Sequence, residues 1–97
     1  MTVTFDTSAW IEYFLGSDLG QLPRSYVDGD ESIHTPAISL MEIKDKYLRE
    51  GRNWRERLDF IAGRSGIVSV DDKLALLAAD AKHGLRLHAT DALIYAT

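Results

Sequence analysis

Apolar residues recur along the chain with two different periods. Residues 2–6, TVTFD, alternate polar and apolar positions and are β-branched or aromatic, which predicts a first strand. From Thr7 the period lengthens: Trp10, Ile11 and Phe14 fall on one helical stripe, and Gly16 marks its end. Residues 17–30 lose the pattern. There Gly20, Pro23 and Gly29 stand among Asp18, Asp28 and Asp30, predicting loops around at most one short helix. ESIHT at 31–35 predicts a second strand, and Thr35–Pro36 reads as an N-cap followed by proline in the first turn of a helix running to Gly51. A further helix at about 53–63 is bounded by GRSG, and IVSV at 67–70 predicts a third strand. Residues 71–84 carry Leu74, Leu77, Ala78 and Ala81 on one stripe that stops at Gly84, and a last helix opens near Thr90.

Helices separate the strands, and parallel strands require such crossovers. The order therefore predicts a single α/β domain over residues 1–97, a small parallel sheet flanked by helices in three layers. Internal repeats and low-complexity segments are absent from the sequence.

Composition narrows the class without naming a function. A hydrophobic fraction of 45% with 27% charged residues is ordinary for a globular domain, so disorder is not indicated. There is no cysteine, which excludes disulfides and thiolate metal sites and suits a reducing cytoplasm. The N-terminal MTVTFDTSAW has no basic flank followed by an apolar run, so no signal peptide is read. The longest apolar run, Leu74 to Ala79, is far short of the roughly 20 residues that span a bilayer. The expectation is a soluble, cytoplasmic protein without a membrane partner.

The net charge of −4 argues against a simple cationic nucleic-acid binder. Its distribution changes that picture. Residues 44–64 hold seven basic and four acidic residues, so the segment is +3 and the remainder −7. Within it Lys44, Lys46, Arg49, Arg52 and Arg55 surround Trp54, with Tyr47 nearby, a mixture suited to phosphate contact and base stacking. Two solvated helices of mixed charge account for the same pattern on composition alone.

Three acids fall where an open parallel sheet presents function, at the junctions of strand ends and helix starts. Asp6 ends the first strand; an N-cap role explains it equally well. Glu42 projects beside Ile38 at the edge of the apolar arc of its helix. Its bland alternatives are an ion pair with Lys46, worth about 0.2–0.5 kcal/mol, or a capping box with Ser39, which fits poorly after Pro36. Asp91 opens the last helix, where the macrodipole favours a carboxylate anyway. Asp71 and Asp72 most economically cap the helix after IVSV. The histidines, His34, His83 and His88, lack metal-ligand spacing, and neither a Gly-x-Ser-x-Gly elbow nor a Walker-type loop occurs.

Taken together with their flanks, FDTSAWIEYF, TPAISLMEI and ATDALIYAT resemble, in this order, the PIN-domain family of metal-dependent nucleases, and most of all the small toxins of VapBC toxin–antitoxin modules. The likeness runs over essentially the whole chain, including GLRLHATDALIYAT. It implies that Asp6, Glu42 and Asp91 hold Mg²⁺ or Mn²⁺, with the Ser8 hydroxyl in support. It also implies an RNA substrate of the tRNA or rRNA class, a homodimer and a VapB-like antitoxin. In the family the helix begun by this last Asp leads to a further strand carrying a fourth acid. A chain stopping at Thr97 is accordingly expected to lack the C-terminal strands, leaving one edge of the first strand unpartnered. The physics agrees with a cation. Three carboxylates within about 4 Å repel by roughly 4 kcal/mol per pair at an effective dielectric of 20, and protons or a hard divalent ion must neutralise them. Two alternatives stay open: a non-catalytic PIN remnant that binds antitoxin or dimerises, and, more remotely, a phosphatase-like fold in which Ser8 stands where a second acid is usual.

Overall fold

The computed structural model describes residues 2–85. Strand β1 (Thr2–Thr4) leads through Phe5 and Asp6 into α1 (Thr7–Leu15), and a single 3-10 turn at Asp18–Gly20 runs on into α2 (Gln21–Val27). Strand β2 (Ser32–Pro36) passes directly into α3 (Ala37–Arg49) and then α4 (Arg55–Arg64), and β3 (Gly66–Val68) precedes α5 (Asp72–Leu85). All pairing is parallel in the order β1-β2-β3, with Val3 opposite Ile33 and Pro36 opposite Val68. The amide of Phe5 donates to the His34 carbonyl at 2.9 Å, extending the β1–β2 ladder to the threshold of α1. The architecture is the small parallel sheet flanked by helices that the alternation of periods predicts. The helix expected near Thr90 lies outside the described residues.

One apolar core joins Phe5, Trp10, Val27, Ile33, Ile43, Tyr47 and Ile61, so each described helix but α5 contributes to it. Burying such side chains contributes about 1.5–3 kcal/mol each. Trp10 has no exposed surface and meets Phe5 edge-on at 4.7 Å, while Phe14 stacks on it at 5.9 Å. Its indole N–H still needs an acceptor, and Thr35 Oγ1 supplies one at 3.0 Å. The Thr35 hydroxyl lies 2.7 Å from Ser65 Oγ, and Ser65 donates to the Ile61 carbonyl at 2.7 Å. An indole N–H only donates, so the chain runs in one direction, from Trp10 to Thr35 to Ser65 to the carbonyl. That thread ties α1 to β2 and to the end of α4.

Local chemistry explains where the boundaries depart from the sequence pattern. Thr35 is not the N-cap of α3, because its hydroxyl is used in the core. Pro36 takes that place with φ −61° and ψ 134°, and no side chain caps the helix. Its ring-locked φ suits both the last residue of a strand and the step into a helix. Residues 17–30 hold two helical pieces instead of at most one. Pro23 falls in the first turn of α2, where a missing N–H is no loss. Gly20 serves close approach, since a Cβ there would collide with the Glu12 carbonyl of α1. Helix α5 continues through Gly84 to Leu85, and Leu77, expected on its buried stripe, is 51% exposed whereas Leu74 and Ala78 are buried.

Arg64 closes the α2–β2 connection. Its guanidinium donates to the carbonyls of Tyr26 at 2.8 Å, Val27 at 2.9 Å, Glu31 at 3.1 Å and Gly29 at 3.3 Å. Five donors on a planar fork can satisfy several diverging carbonyls at once.

Candidate active site at the carboxyl end of the sheet

Asp6 follows β1 at the carboxyl edge of the sheet. It is the N-cap of α1, with φ −81° and ψ −177°, and its Oδ1 accepts the Ala9 amide at 2.8 Å. The capping role foreseen as a bland alternative is therefore real, and it engages one of two oxygens. Because β2 enters α3 without a loop, the early turns of α3 also sit at this edge. From there Glu42 reaches toward α1. Its Oε1 accepts the Thr7 hydroxyl at 2.7 Å, across 35 positions of chain.

Neither bland account of Glu42 describes the structure. Lys46 pairs with Glu50 at 2.6 Å, not with Glu42. Ser39, in the first turn of α3, is fully buried with its Oγ unbonded, so no capping box forms. What orients Glu42 is the residue next to Asp6, which brings two of the three expected acids to one corner. Among the described residues, neither acid is paired with a Lys or Arg. Asp91 lies outside the described residues, and among the described residues no group of three Asp, Glu or His side chains is placed to hold a metal ion. Asp71 caps α5, its Oδ1 accepting the Leu74 amide at 2.7 Å. Ser8 is exposed. The hydroxyl that meets Glu42 is that of Thr7, which the sequence reading passed over because only the tertiary fold sets it against α3.

The donor set suits a hard divalent cation. Asp6 and Glu42 each have one carboxylate oxygen held by a neutral donor of the first turn of α1, and each has a second oxygen with no bonding partner among the described side chains. All-oxygen, anionic ligands are what Mg²⁺ and Mn²⁺ prefer.

The basic stretch is largely satisfied within itself. Lys46 and Arg52 bond to Glu50 at 2.6 and 3.3 Å, and Arg49 pairs with Asp45 at 3.0 Å. The hydrogen bond from Lys46 holds the Glu50 carboxyl below the usual carboxylate range. Lys44 Nζ lies 4.0 Å and Arg55 Cζ 4.8 Å from the centre of the Trp54 ring, and Arg52 lies over Tyr47 at 5.2 Å. Tyr47 is a core residue, whereas Trp54 is half-buried and Phe60, in the same segment, is exposed. An aromatic groove of about 260 Å³ between α1 and α4 went unforeseen: Tyr13 stacks on Phe60 at 5.8 Å beside Phe14, Glu56 and Arg57.

A parallel α/β sheet with a carboxylate pair at its carboxyl edge is an architecture built for polar chemistry at strand ends. The PIN-domain family model matches residues 3–97, and the chain belongs to the PIN-domain family. PIN domains are generally nucleases. None of the curated proteins matches this chain. Among solved structures, VapBC2 from Rickettsia felis bound to a DNA fragment from their promoter is similar in fold, with a TM-score of 0.75 at 16% identity over 99% of this chain and 78% of that one.

Proposed function

We propose that this PIN domain is a metal-dependent endoribonuclease and the toxin of a VapBC-type toxin–antitoxin pair, acting in the cytoplasm. Asp6, Glu42 and Asp91 would hold Mg²⁺ or Mn²⁺. The observation that carries the reading is the Thr7–Glu42 bond, which sets Glu42 against the turn that begins with Asp6 while neither acid has a cationic partner among the described residues. A cation bound there would activate a water for in-line attack and neutralise charge on the scissile phosphate. The chain's own groups do the rest. Asp6 and Glu42 present oxygens whose positions are set by α1, and Lys44 and Arg55 around Trp54 offer phosphate contact beside a stacking face.

The fold shared with VapBC2 supports a VapB-like antitoxin as partner, and the resemblance to VapC toxins supports a homodimer and an RNA of the tRNA or rRNA class. Cleavage of such RNA is measured with Mg²⁺ or Mn²⁺ for the wild type and for Asp6→Asn, Glu42→Gln and Asp91→Asn. The expected outcome is cleavage that needs the metal and is lost in each variant. Cleavage that survives chelation, or that the three variants retain, removes the proposal.

A further inference from the structure

We infer that Thr7 is a positioning residue: its hydroxyl holds Oε1 of Glu42 so that the other carboxylate oxygen is presented to a divalent cation. This rests on the reading of Asp6 and Glu42 as metal ligands, and adds to it the group that sets their geometry.

The first turn of α1 engages both acids. The Ala9 amide takes Oδ1 of Asp6 at 2.8 Å, and the Thr7 hydroxyl takes Oε1 of Glu42 at 2.7 Å. The two acids come from elements far apart in the chain, and a single turn therefore fixes one oxygen of each and with it the rotation of each carboxylate. The chemistry of the donor matters as much as its place. A lysine or arginine here would cancel the carboxylate charge and repel a second cation, whereas a neutral hydroxyl orients the carboxylate and leaves its charge intact. Lys46, one turn beyond Glu42, is drawn away to Glu50 at 2.6 Å. Thr7 is β-branched, so its χ1 is stiff and its hydroxyl needs little ordering. The bond is also partly buried, which shields it from competing water.

Partners that orient a metal-ligating carboxylate typically contribute 10–100-fold in metal affinity. Mn²⁺ binding is titrated calorimetrically without RNA for the wild type, Thr7→Val, Thr7→Ser, Asp6→Asn and Glu42→Gln, and the metal-free melting temperature is recorded for each. The expected result is a loss of roughly 10-fold or more in Mn²⁺ affinity for Thr7→Val, recovery in Thr7→Ser, and metal-free melting temperatures alike for the two. A part in folding alone would move the melting temperature and leave Mn²⁺ affinity untouched. If Thr7→Val binds Mn²⁺ as the wild type does while Asp6→Asn and Glu42→Gln do not, Thr7 has no positioning role and the metal centre stands. If Asp6→Asn and Glu42→Gln bind as the wild type does, the metal centre itself is wrong and the role of Thr7 falls with it. Should the valine variant fail to fold, Thr7→Ala makes the same comparison.

Discussion

Replacing Thr35 by valine tests whether the buried polar thread holds the two acid-bearing elements together. Valine keeps the shape of threonine and removes its hydroxyl. The Trp10 indole N–H, in a residue with no exposed surface, then has no acceptor, a loss of about 1–3 kcal/mol. Ser65 keeps its bond to the Ile61 carbonyl and loses only an incoming donor, while the new methyl offsets well under 1 kcal/mol. The net destabilisation is about 1–3 kcal/mol, a large share of the roughly 5–15 kcal/mol expected of a domain. Near the midpoint that lowers the melting temperature by roughly 4–8 °C per kcal/mol for a chain of this size. Urea unfolding of the wild type, Thr35→Val, Trp10→Phe and the double variant measures it. In the Trp10→Phe background the donor is gone, so the effect of Thr35→Val should shrink toward zero. An equal effect in both backgrounds, or one below about 0.5 kcal/mol in the wild type, would show that the indole bond does not carry the stability assigned to it. The site depends on the same thread, because α1 begins with the Asp6 cap and β2 runs straight into the helix of Glu42.

Arg64→Met should cost about 2–4 kcal/mol and speed proteolytic nicking at residues 28–31, because four carbonyls lose a charged donor; Arg64→Lys should recover only part, since an ammonium lacks the fork, and full recovery would contradict that geometry. Ser39→Ala should stabilise the chain by about 0.5–1 kcal/mol in urea unfolding, as it removes a buried hydroxyl without a partner and installs the best helix former; a loss of stability would mean that the hydroxyl is bonded after all. If Lys44 and Arg55 contact RNA phosphates, the double variant Lys44→Met, Arg55→Met should reduce the slope of log affinity against log salt by roughly 0.7 per lost charge. An unchanged slope assigns both cations to Trp54 alone.

The order of elements was legible because local chemistry and fold agree along most of the chain. Gly16 illustrates this: helical apolar spacing stops just before it, and it adopts φ 67° as the cap of α1. Gly51, with φ 66° just past α3, does likewise, whereas Gly84 lies inside a helix and misled. Thr35 misled for a different reason. Its local signature is that of a cap, but a buried tryptophan 25 positions away needed an acceptor, and the tertiary demand prevailed. The candidate site divides along the same line. Asp6 was legible because a strand end beside a helix start is a local feature. The environment of Glu42 was not, since Lys46 has an acid four residues away on either side and bonds to Glu50, while the hydroxyl that meets Glu42 comes from 35 positions away. Thr7 carried no mark in sequence beyond adjacency to Asp6.

Net charge by segment says how much charge is present and not how it is arranged. Counting gives residues 44–64 a surplus of +3, and a surplus suggests a surface open to phosphate. The fold brings Lys46, Arg49 and Arg52 to neighbouring acids and sets Lys44 and Arg55 over one indole ring. Exposed pairs of this kind are worth at most about 1 kcal/mol each, and salt or an incoming phosphate competes with them readily. These pairs lie within the segment and are already counted in its +3, so they fix where its charges stand and leave its net charge unchanged. The carboxylate corner is the opposite case. Asp6 and Glu42 are oriented by an amide and a hydroxyl, neither of which neutralises them, so their charge stays available to a cation. Among the described residues Asp6 and Glu42 thus differ from Asp45 and Glu50, whose carboxylates are held by Arg49, Lys46 and Arg52.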